Sequence, residues 1–300
     1  MVPAAEMVVG SDVRSSDPGR EAPTRRRVRV SIVTAVRNSA ASLARTIESV
    51  LAQSYPEVEY VVIDGASSDG TVDVIRRYAD RLAHWRSEPD RGISDAFNKG
   101  LAVASGDLFG LVNADDWLEP DHIARAVAAL GRSGADFVFG DLLYHDAAGR
   151  TLFRIRGDPH YARAIDRGMP DVNHPTLLAR REVYERIGGF DPALRFAMDY
   201  DWLLRAHRAG FRGTYAPQVV GHMTLAGVSD RDYLRALNEV RGIAIAHGEP
   251  AARAWPLYLY RVAKGTAQRA LRRSAPAGLY EALRRWVNPS YEPYRPGGRR

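Results

Sequence analysis

Tyr60-Val61-Val62-Ile63-Asp64-Gly65-Ala66-Ser67-Ser68-Asp69-Gly70-Thr71 decides the architecture. The stretch opens on an unbroken apolar run, so both faces of that strand must be buried, the pattern of a strand inside a parallel sheet. Asp64-Gly65 ends the run, and Asp69-Gly70-Thr71 opens a helix with Val72, Ile75 and Tyr78 along one face. A buried strand that turns within a few residues into an amphipathic helix is the first half of a βαβ unit.

The alternation extends both ways. Before this stretch, Arg29-Val30-Ser31-Ile32-Val33-Thr34 reads as a strand, and Asn38 or Ser39 caps a helix striped by Leu43, Ile47, Val50 and Leu51. After it come a short strand at Ala83–Ser87, a helix within Ser94–Ala104, and a strand Leu108–Val112 that ends at Asn113-Ala114-Asp115-Asp116. A helix from Pro120 to Gly131 follows. The order predicts an α/β fold with a mixed, mostly parallel sheet flanked by helices. Phe137–Gly140 and Thr151–Arg154 add strands about a turn at Gly149. Residues 175–212 read as mainly helical, interrupted at Gly188-Gly189-Phe190-Asp191-Pro192.

Composition narrows the chemistry. The chain has 300 residues, 45% apolar and 26% charged, enough for a sizeable core and unlike a disordered or coiled-coil chain. The absence of cysteine excludes disulfides, thiolate metal sites and cysteine nucleophiles. No apolar run is long enough to span a membrane. Residues 1–28 read as a flexible arm without the apolar core of a secretion signal. The net charge of +6 is uneven: residues 251–300 hold 11 Lys and Arg against 2 acids, residues 1–29 hold 6 against 4, and the middle carries −5. An acidic body argues against a nucleic-acid binder and makes the basic tail a separate device.

Ligands of open α/β sheets bind beyond the carboxyl ends of the strands. That rule selects Thr34–Asn38, Asp64–Asp69 and Asn113–Asp116. Neither carboxylate-rich segment carries a glycine-rich phosphate loop, so a divalent cation held by carboxylates is the expected way to neutralise a diphosphate. The adjacent Asp115 and Asp116 repel each other unless a positive group joins them; the alternative is a role in capping the helix near Pro120. Asp64 at its strand tip, with Ser67 in the same turn, suits a base or ribose, while Asp69 caps the next helix. In Glu88–Gly100, Arg91 and Lys99 face a phosphate or base, or form a solvated helix face. Lys99 and Lys264 are the only lysines.

Taken in order, these segments resemble the family 2 glycosyltransferases, inverting enzymes of the GT-A (Rossmann-like, nucleotide-binding) fold, and in particular small bacterial members that build cell-surface polysaccharides and glycolipids. The T-x-x-x-N opening is matched by Thr34 to Asn38. The nucleotide turn V-D-D-G-S-x-D-G-T is matched by Ile63 to Thr71, with Gly65 at the second Asp. D-x-D appears as Asn113-Ala114-Asp115, and G-I-Y-D-A-M-N-K-G as Gly92 to Gly100. Gly188-Gly189-Phe190-Asp191 and Met198-Asp199-Tyr200-Asp201-Trp202 resemble G-G-F-D and E-D-x-D-L, with Met198 in place of Glu. The resemblance covers about 29–230, taken as the transferase domain. It implies Mg2+ or Mn2+ at Asp115 and Asp116 with His222 as a further candidate ligand. It implies contacts to a UDP-, GDP- or dTDP-sugar from Thr34, Asn38, Asp64, Ser67, Arg91, Lys99 and Asn113. The general base falls on Asp199, with Asp201 as second choice, and the acceptor is a glycan or lipid-linked hydroxyl. His174, in Asn173-His174-Pro175-Thr176, is a candidate contact to donor or acceptor. The Q-x-x-R-W motif of processive members is absent. A sugar-phosphate nucleotidyltransferase is the rival enzyme, but Ala35-Val36-Arg37-Asn38 lacks its glycine-rich loop; a catalytically silent glycosyltransferase-like module is the third reading.

Residues 231–300 read as a basic helical extension. From Trp255 to Arg273, Arg261, Lys264, Gln268, Arg269 and Arg272 share one helical side, and Leu259, Val262, Ala263 and Ala270 the other. A second piece, Leu279–Val287, carries Trp286. A basic amphipathic helix suits an anionic membrane surface, here the inner, cytoplasmic face of the cell membrane; the alternative is a helix packed on the domain with its basic face in water.

Overall fold

The computed structural model describes residues 27–225, 232–274, 284–285 and 288–294. The proposed arm and most of Leu279–Val287 lie outside the described residues. Four strands form a parallel block: β1 (Val30–Val36) pairs with β2 (Val58–Asp64) and β4 (Leu108–Leu111), and β2 pairs with β3 (His84–Ser87). Helices α1 (Leu43–Leu51), α2 (Thr71–Arg76) and α3 (Ile93–Val103) make the crossovers. The period-2 alternation of strand side chains explains the two cores. Val61 and Ile63 join Phe97, Leu203 and Leu204 on one face. Tyr60 and Val62 join Leu43, Ile47 and Ile75 on the other.

Beyond β4 the sheet turns antiparallel. The short β5 (Trp117–Leu118) leads into α4 (His122–Ser133), then β6 (Phe137–His145) and β7 (Thr151–Ile155) form the expected hairpin about Gly149. β8 (Leu178–Arg180) lies antiparallel between β4 and β6, followed by α5 (Arg181–Ile187) and α6 (Met198–Arg208). β9 (Gly213–Thr224) runs parallel to β6 and antiparallel to β5.

The C-terminal part holds α7 (Tyr233–Ala246), α8 (Ala251–Ser274) and β10 (Tyr291–Pro293), which adds to β7 at the sheet edge. The expected orientation of α8 is reversed. Its basic side turns inward: the Arg261 guanidinium fills the space beside Gly168, and the Arg269 guanidinium lies 3.4 Å over the Tyr233 ring. Trp255, Leu259 and Tyr260 face out, at 47%, 59% and 60% exposure. Periodicity says which residues share a face, not which face meets the domain; here Asp171 and the Tyr233 ring draw the cations in. Among the described residues no helix is long and apolar enough to cross a membrane.

Gly140 marks the tightest approach in this half of the sheet. The β6–β9 register shifts there, because Pro217 supplies no N–H and β9 bulges. The Gly140 N–H donates to Thr176 Oγ1 at 2.8 Å, and its carbonyl accepts from Asn173 Nδ2 at 2.7 Å. A Cβ would run into the Val219 carbonyl. Gly140→Ala is therefore expected to cost about 1–3 kcal/mol through overpacking, read as a lower urea midpoint at unchanged m-value.

Candidate active site

The carboxyl ends of β1 and β2 build one wall. Asp64 is fully buried; its carboxylate accepts from Ser67 N at 3.0 Å, from Ser87 Oγ at 2.6 Å and from Ser67 Oγ. Asn38, at φ +52°, donates its N–H to Ser67 Oγ (2.8 Å) and accepts from Ser68 N (2.9 Å), tying the two strand-end loops together. Asn38 is thus a loop tie and not the cap of α1, which begins at Leu43. Ala66 also sits in the left-handed region, at φ +57°; such strain in a non-glycine residue collects at ligand-binding turns. Just ahead of α2, whose N-cap is Gly70, Asp69 accepts from Thr71 Oγ1 (2.5 Å), Ala40 N (3.1 Å) and Thr71 N (3.1 Å), the hydroxyl foremost, and these bonds hold its carboxyl below the usual range.

Thr34 departs from the expectation of a nucleotide contact. β1 continues to Val36, which leaves Thr34 inside the sheet, fully buried and 3.0 Å from Tyr60 OH. A second departure adds a residue. The resemblance puts a second carboxylate at position 65, but a side chain on Gly65 would collide with the Asp90 carboxylate, which fills that space and accepts from Gly92 N at 2.9 Å. The acid missing at 65 is supplied from 90. Arg91 pairs with Asp95 (3.0 Å); Lys99 donates to the Pro89 carbonyl (2.8 Å) and pairs with Glu88 (3.2 Å). Part-exposed pairs of this kind are worth no more than about 1 kcal/mol each, so a phosphate can compete for both cations.

The second wall is the acidic loop after β4. Asp116 is fully buried; its Oδ2 accepts from Asn113 Nδ2 at 2.8 Å, while Asp116 Oδ1 and Asn113 Oδ1 are buried without a partner among the described residues. Burial and then the neighbouring Asp115 push its carboxyl well above the usual range, and burial raises Asp115 too. Arg45, seated 3.6 Å over the Trp117 ring, is the cation that acts on both acids. Two desolvated carboxylates and an orphaned amide oxygen are hard donors that suit a divalent cation completed by phosphate and water. Among the described residues no group of three or more His, Cys, Asp or Glu could hold a metal.

His222 has both ring nitrogens in use. Nδ1 lies 2.9 Å from His145 Nε2, and Nε2 donates to Glu119 at 3.1 Å. Trp117 stacks on it at 5.0 Å, and burial lowers its pKa to about 4, so the ring is neutral. It would have to give up one of these bonds to reach a metal, and the arrangement instead orients the wall beside Asp115.

The third wall is the start of α6. Asp199, in its first turn, accepts from Tyr200 N at 2.8 Å. It lines a cavity of about 10 Å³, room for one water, together with His174 and Trp202. His174 Nε2 and Trp202 Nε1 are buried there without a partner among the described residues. Burial raises the Asp199 carboxyl and lowers His174, and each ion opposes the other's shift. Asp201 is fully engaged: Arg205 Nε donates to it at 2.8 Å and His247 Nε2 at 3.0 Å. Of the two, Asp199 is the carboxylate left facing a cavity.

Glu239, on α7, accepts from the amides of Arg195, Phe196 and Ala197 at 2.8–3.2 Å, capping the approach to α6 from another element. Sequence reading missed it. The signal was Met198, which leaves the start of α6 without the family's glutamate, as Gly65 signalled Asp90. Arg45 has no comparable signal, being one polar position on an amphipathic helix.

The family description "Glycosyl transferase family 2" matches residues 31–188, just over half of the chain and short of Asp199. The "Uncharacterized glycosyltransferase Rv1514c" of Mycobacterium tuberculosis is 37% identical over 180 residues, 59% of this chain and 68% of that one. The mannosyltransferase PcManGT from Pyrobaculum calidifontis, solved with GDP-Man and Mn2+, superposes with TM-score 0.59 at 22% identity, over 87% of this chain and 80% of that one. S. aureus TarS superposes with TM-score 0.55 at 20% identity, over 75% of this chain, which spans only 41% of that longer one.

Two expectations follow from the geometry. The raised Asp116 carboxyl means that the folded chain binds that proton more tightly than the unfolded one, so ionisation at neutral pH costs stability and the cost vanishes below the ordinary value of 3.8. Asp116→Asn is expected to raise Tm at pH 7 in EDTA, with the gain closing as the pH approaches that of free carboxylates. Glu239→Ala strips three amides of their acceptor and is expected to cost about 1–2 kcal/mol by chemical denaturation, Glu239→Gln less.

Proposed function

The chain belongs to glycosyltransferase family 2, and we propose that it moves a sugar from a nucleotide-diphosphate sugar to a hydroxyl of a saccharide or lipid-linked acceptor, with inversion, in the synthesis of a cell-surface polysaccharide or glycolipid. One observation carries this reading: two desolvated carboxylates with an orphaned oxygen at the β4 end, in the same GT-A fold as a cavity-facing carboxylate at the start of α6. The GDP-Man and Mn2+ of PcManGT, and the UDP-GlcNAc of TarS residues 1–349, support the donor class and the use of a divalent ion.

In this mechanism Asp115, with Asp116 and Asn113 behind it, would hold Mg2+ or Mn2+, which supplies Lewis-acid neutralisation of the diphosphate leaving group. Asp64, Ser67 and Asn38 shape the nucleoside pocket, and Arg91 and Lys99 exchange their carboxylate partners for phosphate oxygens. The acceptor hydroxyl attacks the anomeric carbon while the bond to the diphosphate breaks on the opposite side, its electron pair leaving with the phosphate oxygen. Asp199 takes the hydroxyl proton. A carboxyl raised by burial is a stronger base than a solvated one, which suits that task. We assign this chemistry to residues 29–230 and treat 231–300 as an extension that braces α6. The outward Trp255, Leu259 and Tyr260 suit the interfacial layer of a bilayer and so support peripheral membrane attachment; the cytoplasmic face is our assignment for it.

Asp115→Ala and Asp199→Asn are each expected to lower kcat/KM by about 10²–10⁴ with an unchanged circular dichroism spectrum. In the native enzyme kcat/KM is expected to rise with pH through a limb above 3.8, since Asp199 must be ionised to act as base. Full activity in Asp199→Asn would overturn the base assignment.

A further inference from the structure

The small cavity at Asp199 brings an imidazole nitrogen, an indole nitrogen and a carboxyl to one place. His174 Nε2 and Trp202 Nε1 are buried there with no partner among the described residues, and Asp199 shares the lining. Leu111, Val172 and Leu203 make much of the remaining wall, so that wall offers no acceptor. An indole N–H can only donate, and it needs an acceptor inside this apolar shell. The volume of about 10 Å³ holds one water. Water is stable in such a space where roughly two to four polar groups meet it.

Two of the groups are held firmly. The turn that carries His174 is closed by Thr176 N on the Asn173 carbonyl (2.9 Å) and by Leu177 N on the His174 carbonyl (3.0 Å). Phe97 meets the imidazole edge to face, with ring centres 5.9 Å apart, and Tyr184 packs on Trp202 at 4.8 Å. Asp199 is anchored through Oδ1, which accepts from Tyr200 N at 2.8 Å. A bond to the next residue's own amide does not by itself set the direction of the other oxygen. Burial lowers the His174 pKa, so at neutral pH the ring is uncharged and carries one N–H. The ionised base is the strongest acceptor in the lining. The arrangement is complete when the indole N–H and the imidazole Nε2–H donate to the water and the water donates to Asp199.

We propose that His174 is a positioning residue for the base: with the Trp202 indole it holds one water in this cavity, and that water fixes the Asp199 carboxylate toward the acceptor hydroxyl. The role rests on the transferase reading; the water-linked group itself does not. When Asp199 takes the acceptor proton, the water and the imidazole keep their own protons. Glu239, from α7, is the other charged group acting on Asp199, and Tyr184, from α5, shares the cavity with its hydroxyl kept protonated by burial. A hydrogen bond given to the ionised form lowers a carboxyl's pKa, and a nearby anion raises it. Loss of the His174 donor therefore moves the acid limb of kcat/KM to higher pH, and Glu239→Gln moves it to lower pH.

The full chain labelled with [15N]histidine is titrated by NMR in EDTA as native protein, as Asp199→Asn and as His174→Gln, which identifies the His174 signals by their loss. The expected result is a native His174 protonated on Nε2, with ring signals that move in Asp199→Asn. Protonation on Nδ1 alone, or signals indifferent to Asp199→Asn, would overturn the bridge. Turnover is read with Mn2+ as hydrolysis of a panel of UDP-, GDP- and dTDP-sugars, in which water stands in for the acceptor hydroxyl. His174→Phe keeps a ring and loses both nitrogens. It is expected to lower kcat on the order of a hundred-fold at unchanged KM and to move the acid limb upward, while His174→Gln, whose amide can donate from a similar position, recovers both. An unchanged limb in His174→Phe, or equal losses in the two variants, would reduce His174 to packing and overturn the role. If His174→Phe does not fold, the limb of His174→Gln against native protein and the NMR comparison decide the matter. Native protein that hydrolyses none of the panel sinks the transferase reading and the role with it, while the NMR result judges the water-linked group alone.

Discussion

Everything in this molecule depends on burying β1 and β2 on both faces. A parallel strand cannot return by a hairpin, so each crossover must be a helix, and the helices must lie on both sides of the sheet. The alternate residues of Tyr60–Ile63 feed two separate cores for that reason. The same constraint sends every strand of the parallel block out at one edge. The loops at Asn38, Asp64 and Asp115 are brought together there without any of them contacting another in sequence.

That edge concentrates negative charge. Asp64 is satisfied by three hydroxyl or amide donors of its own segment and of β3, and so is a structural fixture as much as a contact. Asp115 and Asp116 are not satisfied in this way. Burial raises both, Arg45 offsets them only in part, and one oxygen of Asp116 has no partner among the described residues. The protein keeps an electrostatic deficit at one point on its sheet edge, and a bound cation with its diphosphate is the natural complement to that deficit.

The C-terminal elements work on the opposite wall. Glu239 closes the amides ahead of α6, and His247 joins Arg205 on Asp201, so two contacts from the extension hold the helix that carries Asp199. Asp201 is thereby committed to structure and Asp199 is left to face the cavity. The extension therefore acts on the site through position, and its strand β10 returns to the main sheet beside β7.

Local pattern alone determined the βα alternation, the buried strands, the hairpin at Gly149, the turn at Asp69 ahead of α2 and the acidic strand end, because each is set by residues within one turn or one strand. Tertiary structure decided the rest. Thr34 stands at the expected end of its strand, where it would reach a ligand, but β1 runs two residues further and leaves it buried inside the sheet. Asp90 and Glu239 take the places of acids absent at 65 and 198, from segments that only the folded chain brings near. The basic stripe of α8 was legible, yet it turned inward and left the aromatic side exposed. Periodicity along one element says what lies on a face; which face is covered depends on charges and rings carried by other elements, and no single segment contains that information.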